Sequence, residues 1–230
     1  MKVSAIIPAA GQGTRMQAKV AKQYLLLNEK PVLDHTLQTF ASSELIHSII
    51  LVVPAGDVED MRSQYLQAEG KVDQVIAGGE KRQDSVYNGF NALESDTEIV
   101  LVHDGVRPFV SHEIIANAIA SAAKQGAVIT AIPVSDTLKK VDSEHQVTRT
   151  VDREGLWRVQ TPQAFQYNLL KRAFAKAYEN SFYGTDEASL VEHMGGIVSI
   201  IPGSELNIKI TRPEDLVLAE GILNSRKNPV

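Results

Sequence analysis

Short apolar runs separated by amphipathic stretches are the feature that most restricts the fold of this 230-residue chain. Four runs are apolar and rich in β-branched residues, and each stops at a proline or a polar turn: residues 3–7, 48–53, 99–102 and 127–132. Apolar residues at helical spacing lie between them, as in Leu33, Leu37 and Phe40. Strands that are apolar on both faces and alternate with helices are typical of α/β proteins. The sequence therefore predicts a mostly parallel, Rossmann-like sheet with helices on both faces.

Composition narrows the class of protein. A chain of 230 residues fits one domain, and its net charge of −5 argues against a general nucleic-acid or membrane-surface binder. The sequence contains no cysteine, which excludes disulfides, thiolate metal sites and cysteine nucleophiles. No apolar stretch approaches the roughly 20 residues that a membrane-spanning helix needs. We expect a cytoplasmic protein with neither nucleic acid nor membrane as a partner.

One excursion interrupts the alternation of strands and helices. Residues 138–142 and 147–153 alternate in polarity around a polar turn, which predicts a protruding β-hairpin arm within residues 134–158. The predicted organisation is a single domain, 1–230, carrying this arm. An isolated two-stranded hairpin is marginally stable in water, so we expect it to pack on something, with a second subunit as one candidate.

The C-terminal part returns to the alternation. Helices are predicted at residues 169–178 and 187–193, a strand at 197–201, a buried strand around Lys209, and a last helix from Pro213. The apolar neighbours Ile208 and Ile210 are expected to fix where Lys209 points.

The loop after the first apolar run has the composition of a phosphate site. Residues 9–13 are small, and the cations Arg15 and Lys22 follow. Small residues leave backbone N–H groups open to an anion. The loop lacks both the third glycine of the dinucleotide fingerprint and the Gly-Lys-Ser/Thr ending of a P-loop, so an ordinary tight turn is the alternative. Ligands collect at the carboxyl ends of parallel strands, where this loop is expected to lie, and this favours phosphate binding.

Two further polar segments follow predicted strands. The loop with Gly79, Glu80 and Ser85 either contacts a base or ribose, or is a charged turn that caps the next helix. Asp104 either lies beside Mg²⁺ held mainly by substrate phosphates, or forms a structural pair with Arg107. His103 is expected to be a packed residue and not a general base.

Taken together, these segments match a known family in register over essentially the whole chain. The matching motifs are residues 8–16, 22–24, 78–86, 102–108, 136–137, 151–157, 160–163, 185–188 and 207–215. In these motifs the chain resembles the 2-C-methyl-D-erythritol 4-phosphate cytidylyltransferases of the non-mevalonate isoprenoid pathway. Two departures are Ala21, where many members have proline, and Glu80, where some have aspartate.

The resemblance implies a nucleotidyltransferase that uses Mg²⁺ to transfer CMP from CTP to 2-C-methyl-D-erythritol 4-phosphate, releasing pyrophosphate. It implies a homodimer through the hairpin arm, with Arg153 serving the neighbouring subunit's site. Arg15 and Lys22 would stabilise the transition state at the α-phosphate, and Asp104 would lie beside the metal. The catalytic residues are expected to be Arg15, Lys22, Arg153 and Lys209. The substrate-binding residues are expected to be Ala9, Ala10, Gly11, Gly13, Gly79, Glu80, Ser85, Asp104, Arg107, Thr137 and Thr185.

Three alternatives remain open at this point. A ribitol 5-phosphate cytidylyltransferase has similar loops, although such relatives tend to have Leu-Ala-Gly-Gly where this chain has Pro-Ala-Ala-Gly. A sugar-1-phosphate nucleotidyltransferase would use UTP or GTP. A non-catalytic nucleotide-binding module would bind CTP and release no pyrophosphate.

Overall fold

A computed structural model of the chain describes residues 1–11, 21–66 and 71–227. The strands are β1 (Val3–Pro8), β2 (Leu26–Leu27), β3 (Lys30–Pro31), β4 (Ser48–Val53), β5 (Val72–Ala77), β6 (Ile99–Val102), β7 (Ala127–Pro133), β8 (Leu138–Val141), β9 (Val147–Val151), β10 (Trp157–Gln166) and β11 (Ser199–Pro202). The α-helices are α1 (Val32–Ala41), α2 (Val58–Tyr65), α3 (Arg82–Asn91), α4 (His112–Gln125), α5 (Tyr167–Glu179), α6 (Glu187–His193) and α7 (Pro213–Lys227).

The main sheet has seven strands in the order β11-β7-β10-β6-β1-β4-β5. β1 pairs in parallel with β4 and β6, β4 pairs in parallel with β5, and β7 with β11. Of the strands described in this sheet, only β10 runs against its neighbours, antiparallel to β6 and β7. The predicted mostly parallel α/β sheet is confirmed.

Successive residues of a central strand enter two separate cores, because strand side chains alternate between the faces of a sheet. In β4, Ile49, Leu51 and Val53 pack with residues of α1 and α4. Ile50 and Val52 pack with residues of α3, α5 and α6 on the opposite face. All five side chains are at most 2% exposed, which explains why the strand is a continuous apolar run. Helices cover both faces, as predicted.

β10 is a strand that the sequence analysis does not predict. It contains a proline, and its buried residues include Gln160, Thr161 and Gln163, at 6%, 5% and 1% exposure. Its pairing with β7 is irregular between Val159 and Gln163. Strand prediction depends on apolar periodicity, which polar buried residues do not provide.

The segment around Lys209 is irregular, so the strand predicted there is wrong. Its burial is nevertheless as expected, because Ile210 is fully buried and its N–H donates to the Val106 carbonyl at 2.9 Å. The position of Lys209 is therefore set by the packing of an irregular segment.

The predicted hairpin arm is present as β8 and β9, with Leu138 facing Val151. Within the described residues these two strands pair only with each other, and most of their side chains are exposed. The helices that the structure describes include none with the length and apolar character needed to cross a bilayer.

Candidate active site

The carboxyl ends of β1, β5 and β6 border one cavity of about 260 Å³, as expected for a parallel sheet. The predicted site residues that line it are Ala9, Ala10, Gly11, Lys22, Gly79, Glu80, Ser85, Asp104 and Lys209. Gly13 and Arg15 lie outside the described residues. The structure thus brings together four segments that are far apart in the sequence: residues 9–11 with Lys22, residues 79–85, Asp104 and Lys209.

The first two loops of this cavity are in close contact. Gln23 is buried, and its Nε2 donates to the Ala9 carbonyl at 2.7 Å. The Gly78 N–H donates to the Val53 carbonyl at 2.8 Å. A Cβ at Gly78 would lie 2.4 Å from Cβ of Ala10, so only glycine allows the loops to approach this closely.

The second loop is held by its own side chains. Ser85 Oγ accepts from the Gly79 N–H and donates to the Lys81 carbonyl, both at 3.1 Å. Asp84 Oδ2 accepts from the Lys81 N–H at 3.1 Å, at the start of α3. This is the helix capping that the charged-turn interpretation expects, although the loop also borders the cavity.

Asp104 lies at the centre of three cations. Its side chain is 10% exposed; Oδ2 is 2.8 Å from Lys209 Nζ and 3.4 Å from Arg107 Nε, and Oδ1 is 3.7 Å from Arg82 Nη2. Burial by itself would raise the pKa of the Asp104 carboxyl. Lys209, Arg82 and Arg107 outweigh burial and hold this pKa well below its usual range. Asp104 is therefore an anion at neutral pH, and it does pair with Arg107.

Arg82 is a residue of this cavity that the sequence analysis names only within a motif. Its Nη1 and Nη2 donate to the two carboxylate oxygens of Glu187 at 2.7 and 3.1 Å. Glu187 is 1% exposed, and burial raises the pKa of its carboxyl although Arg82 opposes this. The available signal was a cation at the first position of a helix that follows a glycine turn.

His103 is packed as expected. It is fully buried, and burial lowers its pKa to about 4, so the ring is neutral at pH 7. Its Nε2 lies 3.0 Å from the Arg107 carbonyl, and its Nδ1 lies 3.0 Å from Thr161 Oγ1. A neutral, enclosed imidazole with both nitrogens engaged is not placed to take a proton from a substrate.

A second cavity of about 240 Å³ lies on the β10 side of Asp104. It contains two predicted site residues, Arg107 and Thr185. Arg82, Asp104 and Lys209 border both cavities, so these three side chains form a shared wall.

Thr137 and Arg153 are the predicted site residues that the described chain does not bring to either cavity. Both are exposed and flank the hairpin arm. Arg153 Nη1 donates to the Ser135 carbonyl, which holds the guanidinium against the base of the arm.

Comparison with known proteins gives one consistent family. The family model described as 2-C-methyl-D-erythritol 4-phosphate cytidylyltransferase matches residues 3–225. A relative with that name from Alkaliphilus metalliredigens (strain QYMF) is 47% identical over 229 residues, covering 99% of this chain and 95% of its own. Another from Syntrophus aciditrophicus (strain SB) is 46% identical over 231 residues, covering 100% and 99%. The crystal structure of 4-diphosphocytidyl-2C-methyl-D-erythritol synthase from Anaerococcus prevotii DSM 20548 superposes with a TM-score of 0.84 at 35% identity, covering 97% of this chain and 96% of that one.

Proposed function

The chain belongs to the 2-C-methyl-D-erythritol 4-phosphate cytidylyltransferase family of isoprenoid biosynthesis, and we propose that its reaction takes place at the wall formed by Arg82, Asp104 and Lys209. In this reaction CMP passes from CTP to the phosphate of 2-C-methyl-D-erythritol 4-phosphate, and pyrophosphate leaves. The observation that carries the proposal is that two cavities meet at this wall, because two substrates must meet at one phosphorus atom.

The cavity at the end of β1 fits the nucleotide. Ala9, Ala10, Gly79, Glu80 and Ser85 would surround the cytidine, where small side chains and close backbone leave room for a pyrimidine. The backbone of Ala9, Ala10 and Gly11 would face the triphosphate. A purine has a larger ring system, and we expect it to clash with this close backbone.

The chemistry requires charge neutralisation and not a general base. The acceptor phosphate is already ionised near neutral pH, and His103 is enclosed and neutral. The attacking oxygen, phosphorus and departing pyrophosphate oxygen must be held in line while charge on the α-phosphoryl oxygens is stabilised. We assign this stabilisation to Lys22, Lys209 and Arg15.

Mg²⁺ is proposed as the cofactor, with Asp104 as its protein ligand. The described residues contain no group of three or more metal-ligating side chains, which fits an ion held mainly by substrate phosphates. Asp104 Oδ1 accepts no hydrogen bond among the described residues and lies 3.7 Å from Arg82 Nη2, so a metal ion bound there would contact this oxygen beside Arg82. When bound, the ion would neutralise phosphate charge.

The hairpin arm is proposed to form a homodimer and to complete the neighbour's acceptor site with Thr137 and Arg153. Support comes from exposed apolar side chains on the arm and next to it, with Val141 at 45%, Val147 at 61% and Trp157 at 41% exposure. A hairpin that pairs only with itself is marginal in water, and a partner surface would stabilise it. The use of CTP, an intracellular nucleotide, supports the proposed cytoplasmic location.

Pyrophosphate release with CTP and 2-C-methyl-D-erythritol 4-phosphate, each omitted in turn, tests the function. Release only when both are present is expected, with ribitol 5-phosphate, UTP and GTP as competing substrates. Faster turnover with ribitol 5-phosphate than with 2-C-methyl-D-erythritol 4-phosphate would show that ribitol 5-phosphate is the acceptor. CTP binding without release would favour the non-catalytic module.

A further inference from the structure

Arg82 stands on the wall that the two cavities share, with its side chain 33% exposed. It is the first residue of α3 and directly follows the loop that borders the nucleotide cavity. Its guanidinium therefore has access to both substrates, whereas Arg107, only 9% exposed, borders the second cavity.

The hydrogen-bond inventory leaves donors of Arg82 available. A guanidinium has five N–H donors. Among the described residues, two of them donate to Glu187, and the Asp104 carboxylate is a 3.7 Å ion pair. The remaining N–H donors are on a guanidinium that borders both cavities.

Glu187 fixes the plane of these donors. It is 1% exposed and begins α6, and the preceding Asp186 caps that helix by accepting from the Ser189 N–H at 3.0 Å. A bidentate pair sets the orientation of the guanidinium as well as its position. Lysine would supply the charge without this geometry.

The reaction brings two phosphates together at this wall. The acceptor phosphate must approach an α-phosphoryl group that is itself negatively charged, and the repulsion between them opposes the encounter. Asp104 adds a further negative charge there, which Lys209 partly offsets at 2.8 Å. A second cation on the same wall, with free donors, lowers this barrier.

Building on the proposed function, we propose that Arg82 binds the acceptor phosphate at the boundary of the two cavities, and that Glu187 is the positioning residue that orients it. Thr185 and Arg107 border the same cavity, on the acceptor side.

The test compares Arg82→Lys and the double variant Arg82→Gln/Glu187→Gln with the unsubstituted chain. The double variant removes both charges, because Arg82→Gln alone would leave Glu187 buried and unpaired. Arg62→Gln is the matched control, since Arg62 pairs with Glu59 at 2.8 Å, its Nε donates to the Val75 carbonyl at 3.1 Å, and it borders neither cavity. Thermal melts establish that each variant is folded.

We expect kcat/KM for the acceptor to fall about 10²–10³-fold in both Arg82 variants. The Kd of CTP, measured by calorimetry, is expected to change by less than about threefold, because the proposed contact of Arg82 is with the acceptor phosphate and not with the nucleotide. Glu187→Gln should raise the acceptor KM more than it lowers kcat, and Glu187→Asp should recover part of the loss. A general loss of site structure would instead weaken the binding of both CTP and the acceptor.

Acceptor kcat/KM within about threefold of the unsubstituted value in both folded Arg82 variants would overturn the assignment. An equal loss of affinity for CTP and for the acceptor would also overturn it and would favour a structural role for Arg82. Pyrophosphate release by the unsubstituted chain shows whether the proposed function itself holds. If the unsubstituted chain releases none with this acceptor, the proposed function fails; if it does, the variants test Arg82 alone.

Discussion

The Thr161 hydroxyl lies 3.0 Å from Nδ1 of His103, beside the segment that carries Asp104. The Arg107 carbonyl, 3.0 Å from Nε2, can only accept, so Nε2 of the neutral ring carries the proton and donates to it. Nδ1 therefore accepts from the Thr161 hydroxyl, whose Oγ1 in turn accepts from the Asp104 N–H at 3.1 Å. One neutral histidine therefore ties together both ends of the 104–107 loop.

Thr161→Val is expected to lower the free energy of unfolding by about 1–3 kcal/mol, because a buried N–H and a ring nitrogen lose their partner. Turnover should fall with it, since Asp104 is no longer held. Urea denaturation and pyrophosphate release measure the two effects. Thr161→Ser keeps the hydroxyl and should behave like the unsubstituted chain. If Thr161→Val is as stable as the unsubstituted chain, the Thr161 hydrogen bonds do not stabilise the 104–107 loop.

His103 should give stability a pH dependence between about 6.5 and 4. The pKa of His103 in the folded chain is about 4, below the ordinary 6.5. As the pH falls from 6.5 to 4, the unfolded chain therefore binds a proton at this residue that the folded chain does not bind. The free energy of unfolding should therefore fall, by on the order of 3 kcal/mol in total. Denaturation at several pH values measures it.

His103→Gln should flatten that slope, whereas His145→Asn in the exposed hairpin turn should not. An unchanged slope in the glutamine variant would rule out His103 as its source. Asp104 acts at lower pH: its contribution is complete above its ordinary pKa of 3.8 and is lost as the pH falls toward its lowered folded pKa.

Lys22→Ala is expected to keep the fold and to lose about 10²–10³ in kcat, the usual cost of removing one group that stabilises transition-state charge. Circular dichroism and steady-state pyrophosphate release are the measurements. Lys30→Ala is the control, because Lys30 bonds only Gln38 among the described residues, on the surface. Near-normal turnover of Lys22→Ala would refute its assignment.

Gly78→Ala should weaken CTP binding, because the new Cβ would lie 2.4 Å from Ala10 Cβ and 2.9 Å from Ser85 Oγ. The forced separation of the loops should cost about 1–3 kcal/mol of stability. Calorimetry with CTP and thermal melts test this. Gly56→Ala meets no atom within 4 Å and should change neither quantity; unchanged CTP affinity in Gly78→Ala would show that the loop contact is dispensable.

Subunit mixing tests the arm. If Arg153 serves the neighbour, Arg153→Gln and Lys22→Ala chains are each inactive, but a mixed dimer contains one complete site. Unfolding and refolding an equal mixture should restore about a quarter of full activity, since half of the dimers are mixed and each has one of two sites. No recovery, in dimers shown to have exchanged subunits, would place Arg153 in its own subunit's site, and full activity of the Arg153→Gln chain alone would place it outside any site.

The fold was predictable where burial is apolar. β4 and β6 are continuous apolar runs because each strand lies between two cores, and such runs in the sequence predict buried strands. β10 was missed because the residues it buries near Asp104 are polar and satisfied by specific partners, such as Asn207, whose Nδ2 donates to the Thr161 carbonyl at 2.8 Å. Such partners are known only once the chain is folded.

The candidate site was predictable in its loops and less so in its wall. Gly79 and Asp104 follow strands, and topology alone brings them together. Arg82 had a weaker signal, a cation at the start of a helix after a glycine turn, because its orientation depends on Glu187, more than a hundred residues away in the sequence. Only the family resemblance predicts a role for Arg153, and its own subunit leaves it exposed.

The reversed direction of β10 has an evolutionary consequence. Trp157 faces Pro133 across the β7–β10 pair, so β7 ends where β10 begins, at the edge of the sheet that carries Asp104. The arm between them is therefore rooted at the rim of the reaction site, and it contributes no strand to the main sheet. If the arm completes a partner subunit's acceptor site, as proposed, insertions or deletions there would alter that site while the sheet keeps its register. A lineage could then change its choice of acceptor by remodelling one surface hairpin.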